Sequence, residues 1–144
     1  MNRLLSIIKS KYVFMGEKDF QQYILVKRIL GKKYKINIVG CPIVRDKNKI
    51  ALSTRNKLLN KTSIKKASDI AKKLISLKRT INSKKLKKPV NLLKVKSDLE
   101  KYYGIKVDYL DLRNEVDLKL NSSKSKKRLF IAYYIKNVRL IDNF

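Results

Sequence analysis

The sequence contains no histidine and only one cysteine, and these two absences remove several kinds of site. Without histidine, the chain has no imidazole that could act as a general acid or base near neutral pH. Cys41 alone cannot form an intramolecular disulfide or a thiol cluster for zinc, and its apolar surroundings favour simple packing. Sites built on histidine or on paired cysteines are therefore excluded from these 144 residues.

Long apolar runs are absent as well. No run approaches the ~20 apolar residues that a membrane-spanning helix needs. The segment from Met1 to Lys11 is too short and too basic for the usual layout of a signal peptide. These features predict a cytosolic protein that does not enter a membrane.

Acidic residues are scarce, since 11 of them stand against 37 lysines and arginines, which gives a formal net charge of +26. Such a balance favours nucleic acid or another anionic surface as a partner. The lysines, however, are spread over almost the whole chain, and the aromatic residues lie in apolar runs rather than between basic clusters. The pattern argues against a nucleic-acid partner, and a small basic nucleic-acid-binding protein stays open as an alternative.

One stretch near the start combines a strand, a glycine and a helix. Tyr12 to Met15 is a short apolar run typical of a buried strand, and Gly16 allows a turn and a close approach. Phe20 to Leu30 has the spacing of an amphipathic helix, which Gly31 would end. Anions bind where a strand end faces a helix N-terminus, so Lys18 could meet phosphate. An ordinary strand-to-helix turn with a solvated lysine is the other interpretation.

A second strand follows after a turn at residues 32–34. Lys35 to Val39 alternates as a strand, and Pro42 indicates either the end of a strand or an edge strand. Asp46 to Lys49 is a charged turn, in which Asn48 tolerates a left-handed backbone.

The hydroxyls of Ser53 and Thr54 lie beside Arg55 in a short polar loop. Hydroxyls donate single hydrogen bonds and arginine donates a fork, so this loop suits the binding of phosphate. A helix N-cap followed by a surface arginine is the alternative, because serine and threonine are common caps.

The remainder of the chain predicts two helices and then three strands, which together form a small α+β unit. Ser63 is the predicted N-cap of the first helix, Pro89 is placed in the first turn of the second, and Gly104 ends the second. A break at Leu86 to Lys88 separates the helices. The predicted helices run from Ser63 to Leu77 and from Val90 to Tyr103, and the residues that face inward in the second are Leu92, Leu93, Leu99 and Tyr103. The predicted strands are Ile105 to Leu112, Arg128 to Ile135 and Val138 to Ile141. A polar turn is predicted at Asn121 to Lys127.

Four segments of the chain, taken in order, resemble the pantothenate synthetase family, whose members are also called pantoate–β-alanine ligases. The segments are GEKDFQQ (Gly16 to Gln22), VGCPIVRD (Val39 to Asp46), ALSTRN (Ala51 to Asn56) and VRLIDN (Val138 to Asn143). The third resembles the family's version of the KMSKS-type loop of class I aminoacyl-tRNA synthetases. The resemblance covers the chain nearly end to end, but only the latter part of the family's fold.

The resemblance implies a fold and a division into domains. Residues 1–56 would be the end of an α/β nucleotide-binding domain, Rossmann-like and of the class I adenylyltransferase type. Residues 57–144 would be a C-terminal α+β domain with helices and an antiparallel sheet. The cofactors would be ATP and Mg²⁺, and the metal would not need a protein ligand of its own. The substrates would be pantoate and β-alanine, and the enzyme would be a homodimer.

The resemblance also implies site residues. ATP would be bound by Gly16, Glu17, Lys18, Asp19, Val44, Leu52, Ser53, Thr54 and Arg55, and pantoate by Gln22. Of these, Gly16 and Asp19 would meet the ribose, and Lys18 would meet the phosphates. Val44 would present its backbone to the adenine, and the segment from Leu52 to Arg55 would cover the phosphates.

One departure from the family matters for function. The family's N-terminal half carries an HxGH-type motif whose histidines stabilise the adenylation transition state, and this sequence has no histidine. No catalytic residue of that motif is present, so the chain alone is expected not to synthesise pantothenate. It would act when joined to an N-terminal half, in one chain or across two. A catalytically incomplete or vestigial fragment is the other interpretation.

Overall fold

The computed structural model describes residues 1–83, 89–120 and 126–144, and these form two compact units. The first unit is Met1–Ile43 and the second is Val44–Phe144. The sequence analysis instead placed a domain boundary after residue 56, so residues 44–56 belong to the first predicted domain and to the second compact unit. The division into domains at 1–56 and 57–144 stays a prediction.

The first unit is built on a parallel pair of strands. Helix α1 (Asn2–Ile7) precedes strand β1 (Tyr12–Gly16), and strand β2 (Asn37–Cys41) pairs with β1 in parallel. Parallel neighbours need a crossover connection, which a helical segment between the strands supplies. Strand β2 ends directly before Pro42, as predicted, but it begins at Asn37 rather than at Lys35.

Strand β1 is not buried in this unit, which corrects the prediction for Tyr12 to Met15. Tyr12 is 56% exposed and Phe14 is 69% exposed. The crossover helices pack on the other face of the sheet, where Ile38 of β2 is buried. Parallel sheets normally have cover on both faces. The face that carries Tyr12 and Phe14 is therefore an exposed apolar surface of the first unit.

The crossover helix is longer than predicted. Helix α2 (Phe20–Leu25) continues through a π-helical turn (Val26–Leu30) into α3 (Gly31–Tyr34). Lys35 ends the helix in the left-handed region, with a φ of 52°. The predictions of a helix end at Gly31 and of a turn in the three residues after it are therefore wrong.

Gly31 allows close packing between the helix and strand β2, and it does not end the helix. A Cβ at this position would stand 3.2 Å from the carbonyl oxygen of Ile36 and 3.3 Å from Cγ1 of Ile38. On this helix Val26 is buried, whereas Ile29, within the π-helical turn, is 54% exposed.

The second unit has the predicted α+β arrangement, with helices followed by a three-stranded antiparallel sheet in the order β3-β4-β5. The Rossmann-like, class I adenylyltransferase type of the first predicted domain stays a prediction. The elements of the second unit are a 3₁₀ helix (Thr54–Leu58), α4 (Lys61–Asn82), α5 (Leu92–Tyr103), β3 (Lys106–Asn114), β4 (Lys127–Ile135) and β5 (Val138–Asn143).

The ends of both long helices are set by capping residues. Asn60, not Ser63, caps α4, because its side-chain oxygen accepts the Ser63 backbone N–H at 2.9 Å. Helix α4 therefore starts about one turn earlier than predicted, and Ser63 lies buried within its first turn. Pro89 lies before α5 rather than in its first turn, since Asn91 is the cap. Gly104 ends α5 with a φ of 56°, as predicted.

The core of the second unit lies between the helices and the sheet. Leu99 of α5 is fully buried, but Leu93 is 80% exposed, which corrects its predicted inward position. Neighbouring helical residues point about 100° apart, and Leu92 packs against the core instead. The buried core residues are Ile50, Leu59, Ala67, Ile70, Leu74, Leu99, Ile105, Val107, Leu110, Leu129, Ile131, Tyr133, Ile135 and Leu140.

Two predicted features fall on residues outside the described ranges. The break at Leu86 to Lys88 lies wholly outside them. The polar turn at Asn121 to Lys127 lies outside them except for its last two residues, and Lys127 opens β4. None of the helices in the described ranges combines the length and the apolar composition that a membrane span needs.

Candidate functional site

Gly16 closes strand β1 and begins the first candidate segment. Its φ of −66° and ψ of 130° suit any residue, so the backbone itself does not require glycine. Apart from Gly16 and its two chain neighbours, no described atom lies within 4 Å of the place where a Cβ would stand. Packing against the described residues therefore does not require glycine either, and a ligand could approach the backbone closely here.

The remaining residues of this segment follow without a loop. A 3₁₀ helix (Glu17–Asp19) leads directly into α2. Asp19 and Gln22 are three positions apart, which brings them to one helical face, and both are exposed. Lys18 is half-buried beside them. The structure thus brings the whole segment from Gly16 to Gln22 together where β1 ends and α2 begins.

Gly40 of β2 is a functional candidate that the sequence analysis did not single out. A Cβ at Gly40 would stand 2.8 Å from Oε1 of Glu17 and 3.0 Å from Cζ of Tyr23. The hydroxyl of Tyr23 in turn accepts a hydrogen bond from Nζ of Lys27 at 3.1 Å. Gly40 therefore makes room for the Glu17 carboxylate against β2. A glycine directly after the predicted strand Lys35 to Val39 was the available signal, and the observed strand extends through it.

The second candidate segment starts with a tight hairpin from Val44 to Leu52. The Leu52 N–H donates to the Val44 carbonyl at 2.9 Å, so the structure brings these two candidate residues together. At the tip, one carboxylate oxygen of Asp46 accepts the N–H groups of Asn48 and Ile50, each at 2.9 Å. The left-handed residue is Lys49, not Asn48, with a φ of 67°.

Ser53 caps the 3₁₀ helix that follows the hairpin. Its side-chain oxygen accepts the Arg55 N–H at 3.3 Å. The geometry matches the helix-cap alternative, yet a capping hydroxyl keeps its own O–H donor for a further partner. Thr54 and Arg55 are exposed, and the side chain of Asn56 donates to the Ala51 carbonyl at 3.0 Å. The loop is thus tied back to the hairpin while its cation faces solvent.

Arg45 was quoted in the sequence analysis as part of a motif but was given no role. Its guanidinium forms a bidentate ion pair with Asp142 of β5, with N–O distances of 2.7 and 2.9 Å. Asp142 is 9% exposed, so this is a nearly buried carboxylate. No sequence pattern links these two residues, because 97 positions separate them.

The candidate residues fall into the two compact units. The segment from Gly16 to Gln22 lies in the first unit, and Val44 with Leu52 to Arg55 lies in the second. In the part of the chain that the structure describes, no group of three or more histidine, cysteine, aspartate or glutamate side chains could hold a metal ion.

In a comparison with protein families, the model described as "Pantoate-beta-alanine ligase" matches residues 1–144. A pantothenate synthetase of Ruminiclostridium cellulolyticum is 34% identical over 146 residues, which is 100% of this chain and 52% of the relative. A pantothenate synthetase of Francisella tularensis subsp. mediasiatica is 38% identical over 144 residues, which is 99% of this chain and 46% of the relative.

Solved structures show the same relationship. The crystal structure of pantothenate synthetase from Thermus thermophilus superposes with a TM-score of 0.80 at 26% identity, over 99% of this chain and 52% of that one. Pantoate-beta-alanine ligase from Francisella tularensis, complexed with beta-gamma ATP and beta-alanine, superposes with a TM-score of 0.71 at 34% identity, over 99% and 46%. The chain spans about half the length of the relatives it matches, and it corresponds to their C-terminal part.

Proposed function

This chain belongs to the pantoate-beta-alanine ligase family, and on that premise we propose that it supplies the C-terminal part of a ligase. The ligase joins pantoate to β-alanine and uses ATP. The observation that carries the proposal is the family match over all 144 residues. The Francisella relative, which was crystallised with beta-gamma ATP and beta-alanine, supports the two ligands.

The proposed reaction has two steps. The pantoate carboxylate attacks the α-phosphorus of ATP, which forms pantoyl adenylate and releases pyrophosphate. The amine of β-alanine then attacks the acyl carbon, so the amide bond forms while AMP leaves and the amine loses a proton. Both steps need cations near the phosphates and close positioning of the reactants. Mg²⁺ would enter with ATP, held by the phosphates rather than by a dedicated protein cage.

The first unit would bind the ribose, part of the phosphates and pantoate. Gly16 and Asp19 would meet the ribose, a role supported by the open space beside Gly16. Lys18 would meet the phosphates as a point charge. Glu17 belongs to the same ATP-binding segment, and its carboxylate lies against β2. Gln22 would bind pantoate, since a side-chain amide both donates and accepts hydrogen bonds.

The second unit would hold the adenine and cover the phosphates. The backbone of Val44 would face the adenine, and Leu52 lies beside it across the hairpin. Ser53 and Arg55 would contact the phosphates, and Thr54 keeps the hydroxyl of the serine common at that position in the family. The exposure of Arg55 supports this role, because an arginine fork must reach the anion.

We propose that catalysis also needs an N-terminal half that carries the HxGH motif, in the same chain or in a second one. The exposed side chains of Tyr12 and Phe14 support this, because an uncovered face of a parallel sheet calls for further cover. A homodimer, implied by the family resemblance, belongs to the same proposal. Strong amide protection of both β1 and β2 in the isolated monomer would contradict the need for the added half.

Reconstitution tests the proposed function. The N-terminal half of the Ruminiclostridium relative would be fused ahead of residue 1, and pantothenate and AMP would be measured after addition of ATP, pantoate and β-alanine. We expect no turnover by the 144-residue chain alone, and equal amounts of the two products from the fusion. Turnover by the chain alone would show that no further half is required.

Two variants of the fusion test the assigned cations. Lys18→Ala and Arg55→Ala should each lower kcat/KM about 10- to 100-fold, because each removes a charge-assisted hydrogen bond of about 1.5–3 kcal/mol. Lys32→Ala and Lys57→Ala are the matched controls, since both are exposed cations in the same two units, and their activity should not change. A fusion that binds ATP but makes no pantothenate would favour the vestigial interpretation.

A further inference from the structure

Arg45 makes more polar contacts than a surface ion pair requires. Besides the two bonds to Asp142, its Nη2 donates to the Asn143 carbonyl at 3.1 Å. The guanidinium carbon lies 4.5 Å from the ring centroid of Phe144, within the range of a cation–π contact. The planar group is therefore held by three successive residues at the end of β5 and just beyond it.

The receiving carboxylate is itself fixed. Asp142 pairs with Ile131 in the antiparallel sheet, and one of its oxygens also accepts the Asn143 N–H at 2.8 Å. The neighbouring Asn143 is 2% exposed, and its side-chain oxygen accepts from Arg128 at 2.9 Å. Because Asp142 cannot move without disturbing the sheet, it serves as a rigid anchor for Arg45.

Arg45 also binds its own hairpin. Its Nη1 donates to the Lys49 carbonyl at 3.0 Å, and its backbone forms an antiparallel bridge with Ala51. The residues that flank this bridge are Val44 and Leu52, the two hairpin ends that the proposed function assigns to ATP. The anchor therefore acts on the base of the hairpin, next to the ATP residues.

Separate contacts hold the tip of the hairpin. The hydroxyl of Ser68 donates to the Asn48 carbonyl at 2.7 Å, and Ile50 is buried in the core. These contacts would keep the tip in place if Arg45 were altered. The base would keep the hydrogen bonds from Leu52 to Val44 and from Asn56 to Ala51, but it would lose its link to β5. We expect the base then to shift by up to about 1 Å, and a positioning error of that size weakens ligand binding and catalysis.

We propose that Arg45 is a positioning residue for ATP, which acts by fixing the base of the hairpin to β5 through Asp142. The inference rests on the proposed function, because it takes Val44 and Leu52 to Arg55 as ATP contacts. Arg45 itself is not assigned a contact with the nucleotide.

The test replaces Arg45 by lysine in the fused protein, which keeps the charge but removes the fork. We expect ATP affinity to fall at least tenfold and the Leu52 amide to lose hydrogen-exchange protection, while the buried Ile131 amide keeps its protection. The matched control is Arg113→Lys, because Arg113 also makes two bonds to one carboxylate, Asp111, and one to a backbone carbonyl. That variant should leave ATP affinity and the Leu52 amide unchanged.

Four results would separate the possibilities. Equal ATP affinities for the unmodified protein and Arg45→Lys, or equal losses for Arg45→Lys and Arg113→Lys, would overturn the inference. If Arg45→Lys fails to fold, Asp142→Asn, which keeps the shape of the anchor, must show the same selective loss or the inference is wrong. Failure of the unmodified fusion to bind ATP would overturn the proposed function, and with it the role of Arg45 in ATP binding. Hydrogen exchange at the Leu52 amide would still show whether Arg45 fixes the hairpin.

Discussion

Replacing Gly16 by alanine should weaken ATP binding without destabilising the chain. The backbone at Gly16 suits alanine, and no described atom outside its chain neighbours lies within 4 Å of the added methyl group. Such a substitution reduces the conformational entropy of the unfolded chain, so the free energy of unfolding should rise by about 0.4–1 kcal/mol. If the ATP ribose lies against this glycine, the methyl group should lower ATP affinity at least about tenfold, or about 1.4 kcal/mol.

Gly40 supplies the contrasting substitution. A methyl group there would stand 2.8 Å from the carboxylate of Glu17, which can rotate away, and 3.0 Å from the ring of Tyr23, which is buried and would have to shift. Overpacking of this kind costs about 1–3 kcal/mol. Gly40→Ala should therefore lower the free energy of unfolding, whereas Gly16→Ala should not.

The assay combines urea unfolding, followed by circular dichroism, with calorimetric titration of ATP into the fused protein. Unchanged ATP affinity in Gly16→Ala would refute the assignment of Gly16 to the ribose. A loss of stability in Gly16→Ala similar to that of Gly40→Ala would refute the reasoning from open space, because it would reveal a packing role at Gly16.

Three further predictions concern stability. Leu99→Ala should lower the free energy of unfolding by about 2–5 kcal/mol, while the control Leu93→Ala, on the exposed face of the same helix, should change it by less than about 0.5 kcal/mol in urea unfolding. Asn60→Ala should cost about 1 kcal/mol in the same assay, through loss of the cap of α4. Burial, aided by the charge of Asp142, raises the pKa of the Tyr133 hydroxyl, so the unfolded chain loses this proton near pH 10 while the folded chain keeps it. Stability should then fall as the pH rises above about 10, and Tyr133→Phe should reduce that fall when unfolding is compared at about pH 9 and pH 11.

Local patterns determined much of the fold. The strand, glycine and helix around Gly16, the periodic apolar residues of α4 and the alternation in β3 each depend on neighbours within a few positions. Hydrophobic periodicity reports such contacts directly. The helices and the antiparallel sheet of the second unit were accordingly predicted. The observed N-caps lie a few residues from the predicted positions, because asparagine and serine are both good N-cap residues.

The motifs of the candidate site could be identified from the sequence, but the arrangement of their residues in space could not. The segments from Gly16 to Gln22 and from Ala51 to Asn56 are continuous, so their residue types and order could be compared with a family. The pairing of Val44 with Leu52 depends on how the hairpin closes, with Lys49 in the left-handed region. Sequence alone favoured Asn48 there, since asparagine tolerates that conformation better.

The sequence by itself determined the family, the order of the motifs and the absence of histidine. Only the tertiary structure decided why Gly31 and Gly40 are glycines, which face of β1 is exposed, and which carboxylate holds Arg45. These features depend on groups that meet across the fold, such as Arg45 and Asp142, which lie 97 positions apart. Contacts of that kind are set by the path of the whole chain, and no local pattern of residues encodes them.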